Sequence, residues 1–274
     1  MLSGEALLRP SGRQGAQGAP FRRGAGAVCA DRGGMYPLRT KLMWLQIAAL
    51  ALFCAALFIM LLPTLRGLYY RMDTGRAITA FNSEVARLRV QADAREKQEA
   101  ERLARQIADY NAALRAGGQT ALADPFALCA PSEPLPELTG FRPVLGVLCI
   151  PRLELETPVY AVASALSLRR GAALAADSSI PSAEEGTHAL IAAQRGGGGS
   201  APFRGIERLR AGDRVDFLGP LETVSYRVLE TGVILPGQTG DLRIAEGETL
   251  LTLITTHPLQ DGEERYIVRC GRLE

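Results

Sequence analysis

Residues 42–62 (LMWLQIAALALFCAALFIMLL) form an apolar run that opens on Leu42, closes on Leu62 and holds no charge. At about 1.5 Å per residue, a helix of that length reaches about 31 Å, enough to cross a hydrocarbon core of roughly 30 Å. The rest of the chain must therefore be arranged around a membrane anchor. A cleaved signal peptide has a shorter apolar core, about 7 to 15 residues, followed by a small-x-small cleavage site. Here Pro63, Arg66 and Arg71 follow instead, so an uncleaved anchor is expected. Arg39 and Lys41, backed by Arg22, Arg23 and Arg32, flank its upstream end, against Arg66, Arg71 and Arg76 downstream. By the positive-inside rule this places the N-terminus in the cytoplasm and the body of the chain outside it. Residues 1–41 are expected to be a disordered tail, rich in Gly, Ala and Arg up to Met35, where translation is expected to start.

Beyond the anchor, composition narrows the classes. The chain has 274 residues, 47% hydrophobic and 22% charged, which is ordinary for a folded protein. Its 31 basic and 29 acidic residues leave a net charge of +2, no footprint for a nucleic-acid binder. Two histidines, His188 and His257, and no Cys-x-x-Cys pair give a zinc site no ligand set. No metal or other cofactor is expected.

Residues 66–118 read as a helical stalk. Ile78, Phe81, Val85 and Leu88 recur at steps of three and four, as do Leu103, Ile107, Tyr110 and Leu114. The two stripes are out of phase, so two helices and one bent helix both fit. Gly117 and Gly118 end the pattern. Residues 119–143 carry prolines at 125, 131, 134, 136 and 143 and read as a connector. From 144 to 274 the period turns strand-like, over 144–150, 157–162, 187–193, 214–218, 223–235, 249–256 and 265–269. Short helical turns are expected at 166–175 and 203–209. Seven or eight short strands parted by Gly, Asp and Pro turns imply a small β-barrel or sandwich. The Gly run 196–199 lacks the Gly-Lys-Ser/Thr of a phosphate-binding loop and reads as a surface loop.

Three segments resemble the sortases, membrane-anchored cysteine transpeptidases of Gram-positive bacteria. They are GTHALIAAQRG from Gly186, TLITTHP from Thr252 and RYIVR from Arg265. Sortases carry a His in the first, a Cys closing the Thr-Leu-x-Thr run of the second, and an Arg opening the third. Asp124-Pro125-Phe126 resembles the lid of the pilin-polymerising class C, and GVLCIP from Gly146, TPVY from Thr157 and FRGIERLRAGD from Phe203 are also similar to it. The resemblance spans about 42–274. It implies a sortase-like barrel of seven or eight strands with short helices, preceded by a transmembrane helix, a helical stalk and a lid segment at 119–143.

The departures bear on function. Gln194 stands at the family's His and Thr256 at its Cys; Arg265 and the lid residues remain. A cysteine thiol titrates near about 8.5 and an aliphatic hydroxyl closer to water's 15.7, a gap of roughly 10 kcal/mol. Gln194 has no titratable proton, and losing general acid–base help costs about 10²- to 10⁴-fold. His257 neighbours Thr256 but points to the other face of a strand, and His188 lies about 20 Å from Gln194 along one. Cys270 has opposite parity to Arg265, and Cys149 reads as core. A disulfide among Cys129, Cys149 and Cys270 is left open, and Glu184, Glu185, Asp261, Glu263 and Glu264 read as solvated turns.

The resemblance thus implies a degenerate class C sortase at the cell membrane, with its barrel outside the cytoplasm. Its partners would be a sorting-signal peptide, a pilin subunit or an active sortase. Two alternatives stand beside it: a transpeptidase or hydrolase with Thr256 as nucleophile and Arg265 beside it, and a structural membrane protein with a lid-closed groove. Arg265 is either half of a retained ion pair with Asp124 or a grip on a peptide carbonyl or carboxylate.

Overall fold

The computed structural model describes residues 36–90, 94–119, 122–127, 144–196, 201–256 and 264–273. Residues 1–35 of the expected tail, Cys129, 197–199 of the Gly run, His257, Asp261 and Glu263 lie outside them. The chain divides into two compact units, Met1–Cys54 and Ala55–Glu274. Helix α1 (Tyr36–Val90) carries the apolar run and continues past Pro63, so that run and the first part of the expected stalk are one element. Within it, Arg39–Leu62 holds an 18-residue stretch of mean hydropathy 2.6 that is not buried in protein, and the segment is long and apolar enough to cross a membrane.

The out-of-phase stripes resolve into two helices, α1 and α2 (Ala94–Gly117). Gly118 at φ +67° and Gln119 at φ +50° turn the chain out of α2, using the left-handed region that Gly enters without penalty. Phe81, Val85 and Leu88 of α1 and Leu103, Ile107, Tyr110 and Leu114 of α2 belong to the same core as the barrel. Each large aliphatic among them gains about 1.5–3 kcal/mol by leaving water. Polar bonds then fix the seat of α2. The carboxamide of Asn111, fully buried, donates to the Ile180 carbonyl at 3.0 Å and accepts from the Ile180 amide at 2.9 Å. Gln119 donates to the Asp177 carbonyl at 2.9 Å and accepts from the Ile244 amide at 2.6 Å. At the end of α1, Arg89 donates to the Gly219 carbonyl at 3.0 Å.

The barrel has eight strands: β1 (Val144–Ile150), β2 (Leu155–Tyr160), β3 (Ala172–Leu174), β4 (Thr187–Ala193), β5 (Arg214–Leu218), β6 (Thr223–Ile234), β7 (Thr249–Thr256) and β8 (Arg265–Arg272). They close in the order β1-β2-β3-β4-β7-β8-β6-β5. Pairs β2–β3 and β4–β7 are parallel, and the rest are antiparallel. Val268 and Cys270 are fully buried while Ile267 and Arg269 are partly exposed, so 268 and 270 face the interior. Register carries Leu253 and Leu251 inward with them. Thr252 and Ile254 therefore lie on the outer face, yet both are buried, as is all of β4. A strand covered on both faces tends to read as a continuous apolar run, and β4 does from Ala189 to Ala193.

Two local expectations need correction. The helical turn expected over 166–175 stops at Arg170: α3 (Ala165–Arg170) is capped by Ser164, whose hydroxyl accepts from the Ser167 amide, and Ala172–Leu174 is strand β3. Three residues show no period of their own; pairing with β2 and β4 makes them a strand. The second expected turn shrinks to a 3-10 turn at Ile206–Arg208.

Gly146 marks the tightest packing in the barrel wall. A Cβ there would collide with the Phe217 ring and lie 2.8 Å from the Leu218 carbonyl. Gly146→Ala is expected to destabilise the fold by about 1–3 kcal/mol, the usual cost of overpacking. A lowered urea midpoint with unchanged slope is the expected reading.

Candidate functional site

Four strand ends meet at one rim of the barrel. Thr256, the last residue of β7, is the register partner of Arg265, the first of β8, and Arg265 is the partner of Ile234 at the end of β6. On the other side of β7, Ala192 is level with Ile254 in the parallel pairing with β4. β4 ends at Ala193, whose carbonyl accepts from the Thr255 hydroxyl at 2.8 Å, so continuing the register one residue past β4 sets Gln194 beside Thr256. Directly opposed residues share a face, so Gln194, Thr256, Arg265 and Ile234 form a row on the outer face. Neighbours in such a row are about 4.8 Å apart. Gln194 and Thr256 are half-buried, and the Gln194 carbonyl accepts from the Phe203 amide at 3.1 Å.

The lid lies on this row. Pro125–Ala127 is a single 3-10 turn, closed by an Ala127 amide bond to the Asp124 carbonyl at 3.0 Å. Both Asp124 oxygens engage Arg265: Nε donates to Oδ1 at 3.0 Å and Nη2 to Oδ2 at 2.8 Å. The side chains are 7% and 9% exposed, so the pair is buried and weakly screened by salt. The guanidinium also donates from Nη1 to the Glu264 carbonyl at 3.1 Å and stands 5.3 Å from the centre of the Phe126 ring. Pro125 is buried beside it.

Other groups with reactive potential are placed elsewhere. His188 lies on the same outer face, at the far end of β4, and is fully buried. Its Nδ1 is 2.9 Å from the Arg243 carbonyl and its Nε2 2.8 Å from the Thr252 hydroxyl. A carbonyl only accepts, so Nδ1 carries the proton and Nε2 accepts from Thr252. Burial pushes its pKa down to about 4, which makes it a structural histidine. The unfolded chain takes a proton as pH falls through about 6.5, whereas the folded chain holds out to about 4. Stability is therefore lost over that interval, by about 3 kcal/mol at most. Urea unfolding between pH 7 and pH 4 should show the loss, and His188→Gln should remove that part of it.

Among the described residues, the two barrel cysteines are held toward the thiol form. Cys270 is on the interior face and burial pushes its thiol up to about 12; burial pushes half-buried Cys149 up to about 11. Both are free, whereas Cys129, the third candidate for a disulfide, lies outside the described residues. Glu184 and Glu185 are exposed. Among the described residues no cluster of three or more His, Cys, Asp or Glu is placed to hold a metal.

Two features at the rim escape a reading of the sequence. Ile234 closes the row on the β6 side, which only the β6–β8 register reveals. Arg195, next to Gln194, is tied to Glu207 at 2.8 Å and stands 6.0 Å from the centre of the Tyr266 ring. Its charge is thus already answered by a neighbouring carboxylate.

The family model described as Sortase domain matches residues 148–273. The barrel is similar to a sortase domain along nearly its whole length. Sortase C1 of GBS Pilus Island 1 shares 27% identity and a TM-score of 0.64, over 73% of this chain and 92% of that one. Streptococcus pneumoniae Sortase C shares 26% identity and a TM-score of 0.63, over 73% and 97%. Streptococcus agalactiae sortase C1 in complex with MTSET shares 28% identity and a TM-score of 0.62, over 72% and 97%. No curated protein matches the chain in sequence. The sortase-like barrel of seven or eight strands expected from the resemblance is observed as a closed barrel of eight, and its likeness is to class C structures.

Proposed function

We propose that the chain is a membrane-anchored, extracytoplasmic pseudosortase of the class C type. It binds a sorting-signal peptide or pilin subunit, or partners an active sortase, at the cell surface without joining peptides itself. The row of strand ends carries this reading, because the position facing Arg265 is a hydroxyl and the position level with it on β4 is a carboxamide. Thr256 would need its proton removed against the roughly 10 kcal/mol separating a hydroxyl from a thiol. Gln194 cannot take that proton, and the carboxylate of Asp124, which lies over the row, has both oxygens on Arg265. The apolar span of α1 supports the anchor, and the basic residues upstream of it support a cytoplasmic N-terminus.

The full chain in nanodiscs, incubated with sorting-signal peptides and followed by mass spectrometry, is expected to leave the peptides whole. Thr256→Ala should behave identically. Cleavage by the parent chain that Thr256→Ala abolishes would establish a hydroxyl-based transpeptidase or hydrolase and overturn the reading.

A further inference from the structure

We infer that the barrel is seated on the membrane itself: the headgroup layer of the bilayer that α1 crosses reaches up to Met72, and α3 meets that layer through Val162, Leu166 and Arg169. This rests on reading the apolar run as a membrane anchor and names the surface that the barrel turns to the lipid.

The boundary is visible on the exposed side of α1, within the unit Ala55–Glu274. Leu65, Leu68, Tyr69 and Met72 recur at steps of three and four, which places them on one stripe of the helix. They are 48–65% exposed, and the stripe begins three residues after the apolar run ends at Leu62. From Gly75 to Arg89 the exposed positions of the same helix hold only Gly, Ala and polar residues, among them Arg76, Thr79, Ser83 and Arg87. An exposed face that changes from apolar to polar at one level has lipid below that level and water above it. Tyr69 and Tyr70, edge to face with ring centroids 5.8 Å apart, are of the type that membrane interfaces favour. A headgroup layer is about 5–7 Å deep, or about 3–5 residues of helix, so a surface at Met72 sets the hydrocarbon edge near Leu68.

The barrel joins α1 at that same level. Arg170 of α3 pairs with Asp73 at 3.5 Å, and the Thr74 hydroxyl donates to the Arg170 carbonyl at 3.3 Å. Leu166, one turn before Arg170 on the same face of α3, is 60% exposed; Val162 ahead of the helix is 38% exposed, and Arg169 is exposed beside them. Apolar side chains next to an arginine suit a layer of acyl-chain ends and phosphates. Asp73, Thr74 and Phe81 turn one side of α1 to the barrel, whereas the stripe of Leu65, Leu68, Tyr69 and Met72 lies on another side. Two apolar patches at one height on different sides of a helix are both covered by a flat layer. A protein seated on the stripe would leave α3 bare.

The test is tryptophan fluorescence of the full chain in nanodiscs of phosphatidylglycerol and phosphatidylcholine, with and without a phosphatidylcholine spin-labelled on its headgroup. Trp44 is the single tryptophan, so its quenching in the parent chain reports the anchor. On a Trp44→Phe background, Tyr69→Trp, Leu166→Trp and Val90→Trp are compared. Val90, 72% exposed, closes α1 about 42 Å of helix beyond Leu62. The labelled lipid should quench positions 69 and 166 and leave position 90 bright. Adding Arg169→Glu should weaken the quenching at 166. If Leu166→Trp does not fold, Val162→Trp serves as the reporter. Quenching of Trp44 and of position 69, with none at 166 or 162, means that the barrel stands clear of the lipid; that overturns the inference and leaves the anchor standing. Position 69 unquenched, with two chains in each disc, makes a second copy the cover of the stripe and also overturns it. No quenching of Trp44 in the parent overturns the anchor and the inference together.

Discussion

Gln194→His combined with Thr256→Cys is expected to turn the chain into a working transpeptidase or hydrolase, about 10²- to 10⁴-fold above the parent's rate. The lower bound is what general acid–base help alone contributes; the thiol adds a nucleophile partly ionised near neutral pH. The row makes a gain plausible in two substitutions, because both positions are on the outer face, with Arg265 adjacent to 256. Either change alone should do little, since groups that act as a unit are strongly non-additive. Adding Asp124→Ala should raise the rate further by removing the closed lid. A peptide-cleavage time course by mass spectrometry checks this. A folded double variant that cleaves nothing would mean the row no longer forms an active-site geometry.

Asp124→Ala itself is expected to cost about 3–5 kcal/mol, because it removes the carboxylate that takes two bonds from a buried guanidinium. For a chain of this size that is a fall in Tm of roughly 6–20 °C. Most of it should return when Arg265 is also replaced, as in Asp124→Leu with Arg265→Met, since removing both charges also removes the desolvation penalty. The cost should change little between low and moderate salt. An Asp124→Ala melt matching the parent would show that the pair does not hold the lid.

How legible was all this in the sequence? Strands 144–150, 187–193, 214–218 and 249–256 match their observed bounds because their apolar runs end at Gly, Pro or polar turns. Strand β3 was not legible: Ala172–Leu174 becomes a strand only through neighbours supplied by β2 and β4. The helix stripes showed a break in phase but not what covered them. Asn111 sits among apolar residues with no hint that it completes the backbone bonding of Ile180. The pair of Asp124 and Arg265 spans 141 residues, beyond any local signal, and only the likeness of the flanking motifs to a known family joined them. The cover over the outer face of β4 and β7, which buries His188, was likewise invisible to a periodicity argument.

The parallel pairing of β4 with β7 sets the order in which the chain can mature. Thr255 bonds the Ala193 carbonyl across 62 residues, and Gln194 acquires its neighbour Thr256 only when that distant pairing forms. Contacts of such long range are slow, because loop-closure entropy is lost before any bond rewards it. Arg265 arrives later still, on the last strand. During synthesis the lid is therefore made well before the residue it grips, and Asp124 spends that interval without its cation. The rim is the last part of the barrel to exist, so a nascent chain short of β8 lacks the complete row of strand ends.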